Sequence, residues 1–198
     1  MNYEEVTFED FMSLPSGERK RILNDPDLLK LLVKKKLNPS RYSHSLSVAS
    51  LCRELAVCHH VDPEKAYLAG LLHDVCKGLE KTNITFLEDY LRYYDHDKLN
   101  GIYGAYHAWS ARYYLKEMLN FHDKDILNAI YNHTICNSRD KLSLILYIAD
   151  KREPLRGIKD DIIKIARKDL YQAFKILSWD VEKYIREVKN ERFIENRI

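Results

Sequence analysis

Glycine and proline are scarce, six and five residues in a chain of 198, and stretches of alternating apolar and polar residues are few. That shortage argues against a sheet-rich or loop-rich fold and leaves helix as the default for most of the chain. No apolar run exceeds LILYIA, far short of the roughly 20 residues a membrane-spanning helix needs. The N-terminal MNYEEVTFEDF is acidic and lacks the apolar centre of a secretory leader, so no signal peptide and a cytoplasmic location are expected. The four cysteines, Cys52, Cys58, Cys76 and Cys136, have no paired zinc spacing and read as reduced thiols, more readily small buried hydrophobes than ligands. A net charge of +2 lacks the strongly basic balance of a dedicated nucleic-acid binder, while local basic clusters leave room for small polyphosphates.

Three pairs, Asp25-Pro26, Asn38-Pro39 and Asp62-Pro63, each set a capping side chain before a proline suited to the first helical turn, and predict helix starts there. Residues 1–37 then form a helical N-terminal extension, with Lys34, Lys35 and Lys36 at a helix C-terminus where the dipole favours cations. Residues 38–198 form the principal domain. A helix from Pro39 to Cys58 carries the stripe His44, Val48, Leu51, Leu55 and Cys58. After Gly78, a helix from about 82 to 94 leads into the turn-rich DHDKLNGIYG. The next helix, from about 105, sets His107, Ala111, Tyr114 and Met118 on one face; another, after the cap Asp123, repeats the pattern with Ile126, Ile130 and His133. In SLILYIADKREPLRG, Leu142, Leu146 and Asp150 share a face. From 159 to about 189, Ile162, Ala166, Leu170, Ala173, Leu177, Val181, Tyr184 and Val188 recur at helical spacing. They read as one long or once-broken helix, most simply a packing element, with a homodimer surface at its end as the alternative.

The stretch AYLAGLLHDVCKG ends an apolar helical run with His73 and Asp74 side by side. Burying an ionised aspartate without a partner costs several kcal/mol or leaves it protonated, so a cation is expected beside it, a metal ion first. One inward histidine is more often a hydrogen-bonded core residue than a ligand. Yet His44, His73, Asp74, His107, His133 and Asp150 all fall on or next to apolar faces of separate helices, and six independent core roles are hard to sustain. A helical bundle brings such residues together at its centre. Imidazole and carboxylate without thiolate suit iron, manganese, cobalt, nickel or zinc. Six ligands exceed what one tetrahedral ion needs; two ions about 3.5 to 4 Å apart, sharing a carboxylate and holding a hydroxide, would hydrolyse phosphoesters or phosphoanhydrides.

The order His44, His73-Asp74, Asp150 resembles the signature of the HD-domain metal-dependent phosphohydrolases. RYSH, AGLLHDVCK, AYHAWSA, AIYNHT and IADKREPLR look like the YqeK-type subgroup, symmetrical diadenosine tetraphosphate hydrolases that release two ADP at a di-iron site. The resemblance implies an all-α fold, an HD-domain helical bundle with a short helical N-terminal extension. It implies metal ligation by His44, His73, Asp74, His107, His133 and Asp150, with Asp74 as the bridge. The cofactors would be two divalent or mixed-valence metal ions, iron before manganese, cobalt, nickel or zinc. Catalytic roles pass to Asp74 and Lys77, and substrate contacts to Arg41, Lys77, Thr134 and Arg156. The partner would be a dinucleoside polyphosphate or another nucleotide. Trp109 and Ala111 depart from the small or turn-forming residues expected after the third histidine. Tyr93, Tyr94, Tyr103, Tyr106, Tyr113 and Tyr114 either stack an adenine or, more simply, pack. Two other readings stay open: another HD-type enzyme, a nucleotidase or cyclic nucleotide phosphodiesterase, and an inactive metal-binding helical module.

Overall fold

All three proline-marked starts are helix starts. The computed structural model describes residues 8–78 and 106–179, and among them there is no strand. The helices are α1 (Phe8–Ser13), α2 (Ser16–Asn24), α3 (Pro26–Lys36), α4 (Pro39–Cys58) and α5 (Pro63–Leu72). There follow α6 (Tyr106–Tyr113), continued by a π-helical turn (Tyr114–Met118), α7 (Lys124–Asn132), α8 (Lys141–Arg152), a 3₁₀ turn (Pro154–Arg156) and α9 (Ile162–Ala166). Residues 170–179 form α10. The helix expected at 82–94, the DHDKLNGIYG connection, Tyr93, Tyr94 and Tyr103 lie outside the described residues. So do Val181, Tyr184, Val188 and the expected dimer surface.

Short polar side chains define the starts. Asp25 accepts from the amides of Asp27 and Leu28, Asn38 from Arg41, and Asp62 from Glu64 and Lys65. Asp123 and Asp140 do the same for α7 and α8. Each such cap stabilises its helix by about 1 kcal/mol. Lys65 then joins two elements: its ammonium lies 3.0 Å from Asp123 and 2.8 Å from Asp125, pinning α5 to the start of α7.

Helix α4 packs most extensively against α5, and also against α8; α7 contacts α5, α6 and α8. The α4–α5 crossing is close because Gly70 has no side chain. A Cβ there would lie 2.6 Å from the Ala49 Cα and 2.8 Å from its backbone nitrogen. One continuous core results. It runs from Phe11, Ile22 and Leu29 in the N-terminal helices through Leu55, Leu72 and Ile130 to Leu170 and Leu177.

Two faces differ from the sequence expectation. Met118 was expected beside His107, Ala111 and Tyr114, which are buried, but it is 41% exposed. The π-helical turn fits more than 3.6 residues into each turn, so each residue advances through a smaller angle and Met118 falls out of the stripe. Cys58, the last residue of the α4 stripe, is likewise exposed, whereas Cys52 and Cys76 are buried and Cys136 half-buried; all four are free thiols. The C-terminal stripe is interrupted once, between α9 and α10. Asp169 accepts from the Gln172 amide there and restarts the helix, with Ile162, Ala166, Leu170, Ala173 and Leu177 all buried. Trp109 and Ala111 lie buried within α6.

Candidate metal centre

Four helices bring His44, His73, Asp74, Asp150 and His133 together, and α6 adds His107. His44 stands in the second turn of α4, above the buried face of Ser45, Val48 and Cys52. Helix α5 ends at Leu72, so His73 is its C-terminal cap and Asp74 lies in the following turn; both are buried. His133 is the corresponding cap of α7, and Asp150 lies in the last turn of α8.

The protonation of three rings follows from their partners. His73 Nδ1 lies 2.7 Å from the Gly70 carbonyl and His133 Nδ1 2.7 Å from the Ile130 carbonyl. A carbonyl only accepts, so each Nδ1 carries the proton and each Nε2 presents a lone pair. His44 Nδ1 donates in the same way to Glu153 Oε1 at 3.1 Å. Glu153, a buried carboxylate one turn past Asp150, was not singled out from the sequence. The Nε2 atoms of His44 and His73 have no hydrogen-bond partner among the described residues.

His107 Nε2 lies 3.0 Å from His133 Nε2 and, with the His133 proton on Nδ1, donates to it. The Nε2 atoms of all four rings face carboxylate oxygens. Asp150 Oδ1 lies 3.2 Å from His44 Nε2 and 3.7 Å from His73 Nε2. Asp74 Oδ2 lies 3.8 Å from His44 Nε2 and 3.6 Å from His73 Nε2. Its Oδ1 lies 3.3 Å from His107 Nε2 and 3.8 Å from His133 Nε2. Two overlapping groups, His44/His73/Asp150 and His73/Asp74/His133, have ligand atoms within 4.8 Å of one another and could hold a metal ion. Ring nitrogens and carboxylates converging in this way could hold a cation.

The electrostatics agree. Burial would push both carboxyls up, but the imidazoles outweigh it: His73, His107 and His133 for Asp74, His44 and His73 for Asp150. Both stay well below the usual carboxylate range. Burial lowers His73, yet Asp74 and Asp150 overcome it and raise that ring, marking where positive charge is wanted. Burial, helped by Lys77 and His73 and opposed by Asp74, pushes His107 down to about 4, and burial with the two neighbouring rings holds His133 well below the ordinary imidazole value. Between pH 6.5 and about 4 the folded state therefore keeps His107 neutral while the unfolded chain protonates it. The unfolded chain binds more protons in this window, so the stability of the cation-free protein should fall as the pH drops through it. Melting in chelator across that range should show the decline, and His107→Gln should lessen it, His133 supplying the remainder. A parent protein whose melting temperature ignores pH there would contradict the assignment.

The cationic side chains expected to meet substrate stand at the cluster. Arg41 Nη1 donates to Asp74 Oδ2 at 2.7 Å. Arg156 donates to the Asp150 carbonyl at 2.6 Å and to its Oδ1 at 3.1 Å. Lys77 Nζ lies 3.0 and 3.2 Å from the two ring nitrogens of His107. Thr134 follows His133, and its hydroxyl is buried without a hydrogen-bond partner among the described residues. Lys151, unremarked from the sequence, donates to the His133 carbonyl at 3.0 Å and ties α8 to the end of α7. The side chains of His44 and Asp150 are 13% and 15% exposed, those of His73, Asp74, His107 and His133 4% or less. His44 and Asp150, beside Arg41 and Arg156, are thus the least buried of the six.

Known proteins are similar to this chain. A protein of Mycoplasma pneumoniae named "Probable nicotinate-nucleotide adenylyltransferase/Ap4A hydrolase" is 29% identical over 188 residues, covering 90% of this chain and 52% of that protein. The chain thus spans about half the length of that relative. A protein of Halalkalibacterium halodurans named "Bis(5'-nucleosyl)-tetraphosphatase, symmetrical" is 33% identical over 135 residues, 63% of this chain and 67% of that one. A crystal structure of a predicted HD superfamily hydrolase involved in NAD metabolism, from Clostridium acetobutylicum, superposes with a TM-score of 0.65. It has 30% identity and 88% of each chain is covered. The family model of the HD domain matches residues 41–155, from the arginine on Asp74 to the turn beyond Asp150. With more than half of its length on that model, and with the histidine-aspartate pair at the centre of the cluster, the chain belongs to the HD domain family of hydrolases.

Proposed function

We propose that the chain hydrolyses dinucleoside polyphosphates at a two-cation centre, cleaving diadenosine tetraphosphate symmetrically into two ADP. The observation that carries this reading is the convergence of bare imidazole nitrogens and two carboxylates on one buried point. The names of the two relatives support the substrate. Bound cations, iron foremost, would supply the Lewis acidity that activates water and neutralises charge on the phosphoryl group.

His44, His73 and Asp150 would hold one cation, and His73, Asp74 and His133, joined by His107, the other. Asp74 suits the bridging role because its two oxygens face different neighbours, Oδ1 towards His107 and His133 and Oδ2 towards His44 and His73. The neutral, buried His107 and His133 are in the protonation state a ligand requires. Arg41 and Arg156, with side chains 36% and 39% exposed, reach the carboxylates at the least buried part of the cluster and can fork onto phosphate oxygens there. Lys77 contributes a point charge for a phosphate near His107, and Thr134 a hydroxyl donor. Water adds across the central phosphoanhydride. Its oxygen stays on one ADP, the bridging oxygen leaves on the other, and the displaced proton passes to solvent.

Incubation with diadenosine tetraphosphate and iron(II), manganese(II) or cobalt(II) under reducing conditions tests the reading, with products separated by chromatography. ADP as the sole nucleotide product is expected. AMP or ATP would point to another HD-type activity, and no product with any of the three metals would overturn it.

A further inference from the structure

Glu153 is a carboxylate 2% exposed, placed where α8 gives way to the 3₁₀ turn. Burying an ionised carboxylate is costly unless its oxygens are matched by donors. Both are matched, and by different parts of the molecule. Oε1 accepts from His44 Nδ1 at 3.1 Å, and Oε2 accepts from the Leu155 amide at 2.7 Å. The Leu155 amide belongs to the turn that carries Arg156, and Arg156 in turn donates to Asp150.

We propose that Glu153 is a positioning residue that sets the tautomer of His44 and, with its other oxygen, anchors the turn bearing Arg156. One carboxylate thereby holds the cation centre and the phosphate-facing arginine in register. The inference rests on the reading of His44 as a residue that holds a cation.

The chemistry requires an anion that only accepts. A glutamine amide has one accepting and one donating end. If its oxygen takes the Leu155 amide, its nitrogen donates to His44 Nδ1, and the His44 proton moves to Nε2, where it blocks the lone pair facing Asp150. If its oxygen takes His44 instead, its nitrogen opposes the Leu155 N–H and the turn is released. Either way, one of the two alignments is lost while the volume of the side chain is kept.

Long-range ¹H–¹⁵N spectra of the metal-free protein read the tautomer without cation or substrate. The parent should show His44 protonated at Nδ1 with Nε2 bare. Glu153→Gln should shift that ring towards the Nε2–H form, and its manganese(II) affinity, measured by competition titration, should fall about 10 to 100-fold. If Glu153→Gln fails to fold by circular dichroism, Glu153→Asp serves instead. It keeps the charge but is one methylene too short to reach both donors, and the same two changes are expected. Parent-like tautomer and parent-like manganese affinity in the folded variant would overturn the proposal. Because the tautomer is read without substrate, failure of the hydrolase reading would leave this result standing, and the converse holds.

Discussion

Asp74→Asn is expected to remove cation binding and turnover together, with kcat/KM falling about a thousandfold or more, at the upper end of what single electrostatic groups contribute at such centres. The carboxylate faces four imidazoles through two oxygens, so no neighbouring group can take its place for both halves of the cluster. The asparagine would keep the shape. Its oxygen would turn to Arg41, leaving the amide nitrogen to donate to His107 or His133 and occupy a lone pair needed for the cation. Stability in chelator should change little by comparison, since Arg41 can extend into solvent once the buried charge is gone. Elemental analysis and ADP release check both parts. A variant that retains metal and turnover would remove Asp74 from the centre of the site.

Gly70→Ala should damage fold and site at once. The added methyl would stand 2.6 and 2.8 Å from backbone atoms of Ala49, and backbone cannot rotate aside as a side chain can. Helices α4 and α5 must separate, which costs more than the roughly 1 kcal/mol that alanine gains in helix propensity. A net loss of about 2 kcal/mol lowers the melting temperature of a chain this long by about 4 to 8 °C. The Gly70 carbonyl is also the acceptor for His73 Nδ1, so the displacement carries into the ring that both candidate metal groups share. Metal affinity should therefore fall beyond what the loss of stability explains. An unchanged melting temperature would mean that the crossing is looser than described.

Much of this was legible in the sequence, for local reasons. Asp25, Asn38 and Asp62 before prolines mark helix starts because the cap and the proline act within one turn. The inward direction of His44, His107, His133 and Asp150 followed from helical spacing alone. Where local geometry changed, the reading failed. The π-helical turn is not written in hydrophobic spacing, so Met118 was set on the wrong face. His73 and Asp74 were read as the end of a helix, and they lie at its cap and just beyond it, where a turn lets adjacent side chains converge. Contacts across long separations were not legible. The bonds of Glu153 to His44, Arg41 to Asp74 and Lys77 to His107 join residues 109, 33 and 30 positions apart. Glu153 was hidden further by its ordinary appearance as a residue ahead of a proline.

The caps of α5 and α7 carry a consequence for cation capture. His73 and His133 each turn Nδ1 back onto the carbonyl three residues earlier. Such a bond is local, closed within the last turn of the ring's own helix. In the folded chain the rotamer freedom of these two rings is therefore already lost, and capturing a cation would cost little further side-chain entropy from them. His44 is the opposite case, since its aim waits on a carboxylate 109 residues away. Two of the imidazoles are thus aimed within their own helices, while the aim of the third depends on the packing of α4 against α8.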